Sequence, residues 1–320
     1  MRTAHSLSLR PSGLVCFLLS KCQRASWPNF LFGLFFTALG VATCLTLSAC
    51  QPATIQQQES YVFGTRVEVL VVSEQPEQAR QAMAAVLREF DRLHRTYHAW
   101  QDSELSRLNA QIAAGKQRIP VNPELRDFIV QAQAVSAASH RLFDPGIGKL
   151  IALWGFQADE FAAKLPDPNV LAPWHKKWVG IGNLRLDGVY VSSDTPDVAL
   201  DFGGYLKGVA LDRAATILRQ QGIHNALINI GGNIMALGSK NGTPWKVGIQ
   251  HPRQPGSIAT LSLNDGEAIG TSGDYQRFFE LDGKRYCHLL DPRKAAPVHH
   301  TQAVTILIPG SSGYSFGCLL

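Results

Sequence analysis

The segment ALDFGGYLKGVALDRAA (199–215) runs from the apolar end of a strand through Asp201 and two glycines into a helix. Glycines at such a turn let the backbone approach a ligand closely, and the first N–H groups of a helix are free to bind an anion. The helix has one apolar face and ends at Gly222, a residue typical of helix C-termini. The segment predicts a strand–turn–helix unit, and it leaves a plain turn and an anion site equally open.

Helices and strands both precede this segment. Apolar residues at helical spacing predict helices over 77–97 and 123–139, and an Asp-Ser start predicts a short helix within 100–110. β-branched residues in loose alternation predict one strand over 61–72. The first half therefore contributes most of the predicted helices.

The second half is rich in strands. An Asp-Gly turn predicts a hairpin over 183–193, and a Gly-Gly turn predicts another over 225–238. Further strands are predicted at 245–252, 258–263, 266–275, 276–281 and 303–308. This order of elements predicts an α+β fold with mixed or antiparallel sheets and packed helices.

The charge and the cysteines exclude several protein classes. The formal net charge of +5 comes mostly from residues 1–50, which contain four basic residues and no acidic one. The remainder holds 26 basic against 25 acidic residues, so no basic face for nucleic acid is expected. Four of the six cysteines also lie in residues 1–50, and only Cys287 and Cys318 follow. This spacing fits neither a disulfide framework nor a zinc site.

The N-terminal segment resembles an export signal. PNFLFGLFFTALGVATCLTLSAC (28–50) is an uncharged apolar run preceded by Lys21 and Arg24. Its last four residues, Leu-Ser-Ala-Cys, resemble the lipobox of bacterial lipoproteins, in which the cysteine is lipidated and becomes the first mature residue. An uncleaved transmembrane anchor is the alternative, because the run is long enough to span a bilayer. Either way, the folded part is predicted to be membrane-anchored and to face the periplasm or the cell exterior.

Five turns share one composition and predict a common ligand. Each places small or polar residues at the end of an apolar segment, at 144–146, 201–204, 231–233, 272–274 and 288–292. Backbone amides at such ends suit phosphates, and nearby carboxylates suit a ribose, an adenine amine or a divalent cation. The turns match neither the Walker A pattern nor the Rossmann glycine pattern. Their number indicates one nucleotide-like ligand.

Five ordered blocks of the chain resemble the signature blocks of the ApbE-like FAD:protein FMN transferases, and the resemblance covers roughly residues 61–308. The blocks are TYHAWQDSELSRLN (96–109), LFDPGIGKLIALWGF (142–156), LDFGGYLKGVALDRAA (200–215), NALINIGGNIMALG (225–238) and GTSGDYQRFFELDGKRYCHLLDPRK (270–294).

The resemblance implies an activity and a set of site residues. Members of the family bind FAD and Mg²⁺, move the FMN half of FAD onto a threonine hydroxyl of a target protein as a phosphoester, and release AMP. It implies His288 as the general base and the main-chain oxygen of Gly204 as a metal ligand. The FAD contacts that it implies are Phe63, Tyr97, Leu142, Phe143, Asp144, Asp201, Lys207 and, mainly through its backbone, Leu290.

Seven of these residues also have an ordinary structural explanation. His288 is also explained as a side chain that fills the end of a strand. Asp201 is also explained as a carboxylate that caps the start of a helix, and Lys207 as a solvated residue of that helix. Tyr97 lies on the apolar face of a predicted helix, so it suits packing in the core as well as stacking on a flavin. Phe63, Leu142 and Phe143 are of types that usually pack, and only the resemblance supports a ligand contact for them.

The chain departs from the family pattern in two places. Lys294 and Ala295 stand where the family has threonine and glycine, and a lysine there would repel or replace a cation, or reach the phosphates. After 303–308 the family continues into a helix whose aspartate and threonine ligate Mg²⁺, whereas this chain reads SSGYSFGCLL. The implied Mg²⁺ site therefore lacks its carboxylates in this sequence.

The predicted organisation has four parts. A signal peptide over 1–49 precedes Cys50, a polar tether covers 50–60, a FAD-binding transferase domain covers 61–310, and an atypical tail covers 311–320. The predicted partners are FAD, a target flavoprotein with an acceptor threonine, and a membrane reached through Cys50. Two alternatives stay open: a lipoprotein that binds or hydrolyses FAD without transfer, and a substrate-binding lipoprotein of a transporter.

Overall fold

The computed structural model describes residues 53–310. The helices are α1 Pro76–Thr96, α2 Glu104–Ala113, α3 Pro123–Ala138, α4 Gly148–Leu153, α5 Pro168–Lys176 and α6 Tyr205–Gln220, with a 3₁₀ turn at Ile181–Asn183. The strands are β1 Thr54–Val62, β2 Thr65–Ser73, β3 Ile119–Pro120, β4 Leu184–Asp187, β5 Tyr190–Ser193, β6 Ala226–Ile230, β7 Asn233–Leu237, β8 Trp245–Gln250, β9 Ser257–Leu263, β10 Ala268–Gly273, β11 Phe278–Leu281, β12 Lys284–Cys287, β13 Leu290–Asp291, β14 Ala296–Pro297 and β15 Ala303–Ile308.

A six-stranded antiparallel sheet organises the fold, in the order β1-β2-β6-β7-β10-β15. Side chains alternate along β2, so that Val67, Val69 and Val71 all point into the main core. Helices α1 and α6 pack together and share that core. Residues of the β8–β9 hairpin form a second apolar cluster with side chains of β2 and β7. The predicted α+β fold is confirmed.

Helices α1 and α6 form as their apolar spacing predicts. In α1, Met83, Val86 and Phe90 are spaced by three or four residues and are fully buried. Pro76 at the first turn of α1 loses no hydrogen bond, because the N–H groups there have no partner within the helix. Helix α6 ends before Gly222, whose φ of +74° is the left-handed conformation expected of a terminating glycine.

The predicted tether is wrong from residue 54 onward. Residues 54–62 form β1, which pairs along its whole length with β2. The predicted single strand over 61–72 is therefore a hairpin, whose two-residue turn is Phe63-Gly64 with both φ angles positive. Exposed polar side chains dominate β1 because it is an edge strand outside the core, and its pairing is made by backbone groups.

A third apolar cluster joins α4 to the short strands β11–β14. Its buried members include Ile147, Leu150, Trp154, Phe156 and Phe279. These short strands carry the chain past His288, so the cluster supports one wall of the site described below.

Within residues 53–310, no helix is long and apolar enough to cross a membrane. The predicted signal peptide over 1–49, the lipobox cysteine Cys50 and the atypical tail over 311–320 all lie outside the described residues.

Candidate active site

Two of the sequence blocks lie side by side in the structure. The Gly148 amide donates to the Ala199 carbonyl oxygen over 2.7 Å, and the Asp201 amide donates to that of Pro145, also over 2.7 Å. The Asn109 side chain clamps the same segment, because its amide group donates to the Leu200 carbonyl (2.8 Å) and accepts from the Leu200 N–H (2.7 Å). The backbone therefore fixes the turn that begins at Asp201.

The Asp201 turn opens the start of α6 to ligands. The Gly203 amide donates to Asp201 Oδ1 (3.0 Å), and Gln157 Nε2 donates to Asp201 Oδ2 over a long 3.4 Å. Burial raises the pKa of the Asp201 carboxyl. Gly203 and Gly204 are exposed, and Gly204 precedes the first helical residue without a side-chain cap. The exposed backbone of Gly203 and Gly204 at this helix N-terminus, where the helix dipole favours negative charge, can therefore bind an anion.

Phe143 lies beside this helix start, whereas Leu142 is exposed. A Cβ built on Gly204 would lie 3.7 Å from Phe143 Cε2, so the ring flanks the glycine without filling its space. The Leu142 side chain is 53% exposed at the surface. The structure thus brings Phe143 and Gly204 together and leaves Leu142 with a free apolar surface.

The Asp144 side chain is occupied by its own loop. It is 6% exposed, and its Oδ1 accepts the amides of Gly146 (2.8 Å) and Ile181 (2.7 Å). Trp178 Nε1 donates to Oδ2 over 3.3 Å. These bonds tie loop 142–148 to segment 178–181, which assigns the Asp144 carboxylate a structural role.

His288 is held by the backbone of the neighbouring strand. Its amide donates to the Arg277 carbonyl oxygen (3.0 Å), and its Nδ1 lies 3.2 Å from the same oxygen. Because a carbonyl oxygen only accepts, Nδ1 carries the proton and Nε2 keeps its lone pair. Burial, and then the positive charges of Arg277 and Lys207, lower the pKa of His288 to about 4. The imidazole is therefore a neutral base at physiological pH.

Two cations near His288 have no acidic partner. Neither Lys207 nor Arg277 forms an ion pair with any side chain among residues 53–310. Burial, and then the charge of Arg277, lower the pKa of Lys207. Burial lowers the pKa of Arg277, and the charge of Asp201 partly offsets that lowering. The site therefore carries more positive than negative charge, which suits a phosphate-bearing ligand.

Phe63 and Leu290 lie at the margins of this region. The Phe63 ring is half-buried and packs against His94 with 5.8 Å between ring centroids. Its neighbour Gly64 approaches Arg277, since a Cβ there would lie 3.3 Å from Nη1. Leu290 lies two residues after His288, and its half-buried side chain packs on the third apolar cluster.

Tyr97 lies in the main core and outside the site. The side chain is 2% exposed, packs against Phe128 with 5.1 Å between centroids, and donates its hydroxyl to Glu124 over 2.6 Å. Burial on this scale leaves no ring face for a flavin. Of the two interpretations that the sequence left open for Tyr97, the structure favours the core.

Residues 53–310 do not by themselves form a magnesium site. No group of three or more His, Cys, Asp or Glu side chains able to hold a metal ion exists in the described part of the chain. The implied ligand Gly204 contributes one main-chain oxygen, which is too little for an ion that prefers six oxygen ligands.

Lys294 and Ala295, which replace the threonine and glycine of the family pattern, change the backbone requirement of one turn. Lys294 is exposed in the turn between β13 and β14. Ala295 is buried with a φ of +47°, a conformation that favours glycine, the residue which the family pattern has here. The Ala295 carbonyl oxygen accepts a bond from Trp154 Nε1 (2.9 Å), which holds this turn on the third apolar cluster.

Sequence reasoning missed Arg277, Asn109 and Gln157. All three lie inside the quoted blocks or directly beside them, yet none has a spacing that points to a role. Only the folded backbone places Arg277 against His288 and Gln157 against Asp201.

Comparison with protein families matches residues 63–314 to the ApbE family. The chain is 37% identical over 293 residues to the FAD:protein FMN transferase of Rhodobacter capsulatus. The match covers 90% of this chain and 56% of that relative, so the chain spans about half of that relative's length. It is 31% identical over 292 residues to the FAD:protein FMN transferase of Klebsiella pneumoniae (strain 342), which covers 86% of this chain and 82% of the relative.

Solved structures agree with this match. The crystal structure of the ApbE protein from Thermotoga maritima has a TM-score of 0.74 and 29% identity, and the match covers 83% of this chain and 84% of that one. The apo form of the Pseudomonas stutzeri flavinyl transferase ApbE has a TM-score of 0.70 and 27% identity, over 83% and 82% of the two chains. Sequence blocks, fold and site geometry lead to one conclusion: the chain belongs to the ApbE family of FAD:protein FMN transferases.

Proposed function

We propose that this chain binds FAD beside the Asp201 turn and transfers its FMN half to a threonine hydroxyl of a target protein, with release of AMP. The observation that carries the proposal is the placement of a neutral histidine base beside two unpaired cations and an open helix start. A dinucleotide with a diphosphate matches this combination of a base and excess positive charge.

His288 supplies the base in this reaction. The threonine hydroxyl gives its proton to His288 Nε2 as its oxygen attacks the phosphorus of the FMN half. A new phosphorus–oxygen bond to threonine forms, and the bond between that phosphorus and the bridging oxygen of AMP breaks. The products are an FMN–threonine phosphoester and AMP, so the step needs no oxidant or reductant.

The cations and the helix start serve the diphosphate. Lys207 lies on the first turn of α6, and its charge together with the positive end of the helix dipole offsets negative charge on the leaving phosphate. An ammonium without a carboxylate partner is costly to bury and becomes favourable when an anion binds. We therefore assign Lys207 to phosphate binding.

Magnesium dependence is a separate proposal that rests on the family resemblance. The described residues supply no complete site for the ion, and no step above depends on it. Transfer rates measured with added Mg²⁺ and with a chelator test it. Equal rates in the two conditions contradict it.

Membrane attachment through a lipid on Cys50 is likewise a proposal, supported by the lipobox-like residues 47–50. Expression in a Gram-negative host, followed by membrane fractionation, tests it. We expect the wild-type chain to carry a lipid and to appear in the membrane fraction. We expect Cys50→Ser to carry no lipid, whether or not its signal peptide is cleaved. A lipid-free wild-type chain would overturn the proposal.

The transferase proposal is tested with the full chain in mild detergent. The chain is incubated with FAD and with membranes from a host strain that lacks its own flavin transferase. After denaturing electrophoresis, we expect an in-gel fluorescent flavin band and an FMN-sized mass increase on a threonine peptide of one membrane protein. AMP released without any labelled protein would indicate FAD hydrolysis instead. FAD retention without AMP would indicate a binding protein.

A further inference from the structure

The Arg277 side chain is held in a defined position near His288. Its Nη2 donates to the Phe156 carbonyl oxygen over 2.7 Å. The guanidinium carbon lies 5.1 Å from the ring centroid of Phe161 and 5.9 Å from that of Trp100. Aromatic faces and a carbonyl oxygen therefore fix a half-buried guanidinium that has several N–H groups left to donate.

No acidic side chain neutralises this guanidinium. Arg277 forms no ion pair within residues 53–310, whereas the nearby Arg253 is paired with Asp274 at 2.6 Å and Arg285 with Glu280 at 2.9 Å. Burial lowers the pKa of Arg277, and the charges of Asp201 and Asp159 act in the opposite direction from beyond ion-pair distance. A fixed, partly desolvated and unpaired arginine is suited to bind an anion.

The surroundings of Arg277 coincide with the proposed site. Its carbonyl oxygen holds His288, and its charge acts on both His288 and Lys207. On the other side, Nη1 lies close to Gly64, since a Cβ added there would lie 3.3 Å from it. The glycine therefore leaves room for the guanidinium itself.

We propose that Arg277 is a second phosphate-binding residue, which contacts the diphosphate of FAD together with Lys207. This inference rests on the proposed function, because it takes FAD as the ligand. Because Nη2 donates to the carbonyl oxygens of Phe156 and Ala158, the Nε and Nη1 sides of its planar fork are left to donate to phosphate oxygens, which Lys207 as a point charge does not provide. Arg277 thereby orients the diphosphate beside the base that its own backbone positions.

The test measures ligand binding separately from transfer. Dissociation constants of FAD, ADP and riboflavin are determined for the wild-type full chain, Arg277→Met and Arg277→Lys. We expect Arg277→Met to weaken FAD and ADP by about 10- to 100-fold, as for the loss of charge-assisted hydrogen bonds. Riboflavin, which has no phosphate, keeps its affinity. Arg277→Lys is intermediate, since it keeps the charge but loses the fork.

Arg285→Met is the matched control. Arg285 lies on the adjacent strand β12, 3.9 Å from the Phe278 ring centroid, and its charge is already paired with Glu280. We expect unchanged dissociation constants for all three ligands. Equal losses in Arg285→Met and Arg277→Met would overturn the proposal, because they would indicate a general charge effect.

The remaining outcomes are also decisive. FAD and ADP binding within twofold of wild type in a folded Arg277→Met overturns the proposal, and so does an equal loss of riboflavin binding. If Arg277→Met does not fold, the ratio of FAD to riboflavin affinity in Arg277→Lys decides, and an unchanged ratio overturns it. A wild-type chain that binds FAD but labels no protein refutes the transferase proposal and leaves this binding test intact.

Discussion

The carbonyl oxygen of Arg277 lies 3.2 Å from Nδ1 of His288 and also accepts the His288 amide. The proposed base is therefore oriented by a main-chain oxygen, where many enzymes use a carboxylate. Burial, and then the charges of Arg277 and Lys207, lower the pKa of His288, and the hydrogen bond to this oxygen raises it by less. The pairing fixes the tautomer, while burial and the two cations keep the imidazole neutral.

His288→Asn separates the two roles of the imidazole. The asparagine amide group donates to the Arg277 oxygen as Nδ1 does, but it offers no basic nitrogen. We expect FMN transfer to fall about 100-fold or more while FAD affinity stays close to wild type. In-gel flavin fluorescence and FAD titration measure the two quantities. Transfer at the wild-type rate would show that His288 is not the base.

The pH dependence of transfer follows from the low pKa of His288. Because the folded pKa is about 4, the unliganded enzyme keeps its base neutral down to mildly acidic pH. We expect kcat/KM to show its acid limb near pH 4 and no limb near 6.5, which is the ordinary histidine value. Steady-state rates between pH 4 and 8 measure this. A limb of the pH–rate profile near 6.5 that is assigned to His288 would contradict the low pKa expected for this residue.

Stability has a related pH dependence. The unfolded chain binds a proton at His288 near pH 6.5, whereas the folded chain does so only near pH 4. This group's contribution therefore lowers the free energy of unfolding as the pH falls from about 6.5 toward 4. Comparing the pH slopes of wild type and His288→Asn in denaturant titrations isolates the effect. Equal slopes would exclude it.

Lys207→Met should stabilise the protein and weaken FAD binding. The ammonium has no ion pair, and its burial lowers its pKa, so the folded state disfavours the charge. We expect the variant to gain about 1 kcal/mol in unfolding free energy and to lose FAD affinity. Lys149→Met is the control, because Lys149 is paired with Asp197 at 3.2 Å and should give no such gain. A destabilised Lys207→Met with normal FAD affinity would refute the assignment.

Tyr97→Phe distinguishes a core residue from a flavin contact. The variant loses the 2.6 Å bond to Glu124 and keeps the ring that packs on Phe128. We expect a loss of about 1–2 kcal/mol in unfolding free energy and an unchanged FAD dissociation constant. Denaturant unfolding and FAD titration are the measurements. Weaker FAD binding without a loss of stability would restore the flavin role.

Gly180→Ala should break the link between two loops. An added Cβ would lie 2.0 Å from Asp144 Oδ2, so the carboxylate must leave its amide donors. The backbone of Gly180 is extended (φ −175°), so steric conflict alone carries the effect. We expect a loss of about 3 kcal/mol. Gly182→Ala is the control, because nothing lies within 4 Å of its added Cβ.

Elements governed by local signals could be predicted from the sequence. The hairpins β4–β5 and β6–β7 follow their Asp-Gly and Gly-Gly turns, and α1 and α6 follow their apolar spacing. Strand β1 could not be predicted, because its polar residues have no strand alternation and its stability comes from pairing with β2. Edge-strand pairing is a property of the partner as much as of the segment itself.

The same distinction applies to the site. Asp201, Gly204 and Lys207 lie within one turn and the helix that follows it, so their proximity could be predicted from local sequence. The contact between His288 and Arg277 depends on the pairing of β11 with β12, and that of Gln157 with Asp201 on the packing of α4. Tyr97 was ambiguous because a core aromatic and a ligand-binding aromatic have the same helical spacing.

The early start of β1 at Thr54 has a consequence under the proposed lipidation of Cys50. Four extended residues span at most about 14 Å, roughly half the thickness of the hydrocarbon layer of a bilayer. Under that proposal, the first strand of the sheet begins within this distance of the headgroups. Proximity of an acceptor protein to the lipid surface then becomes a selection criterion in its own right.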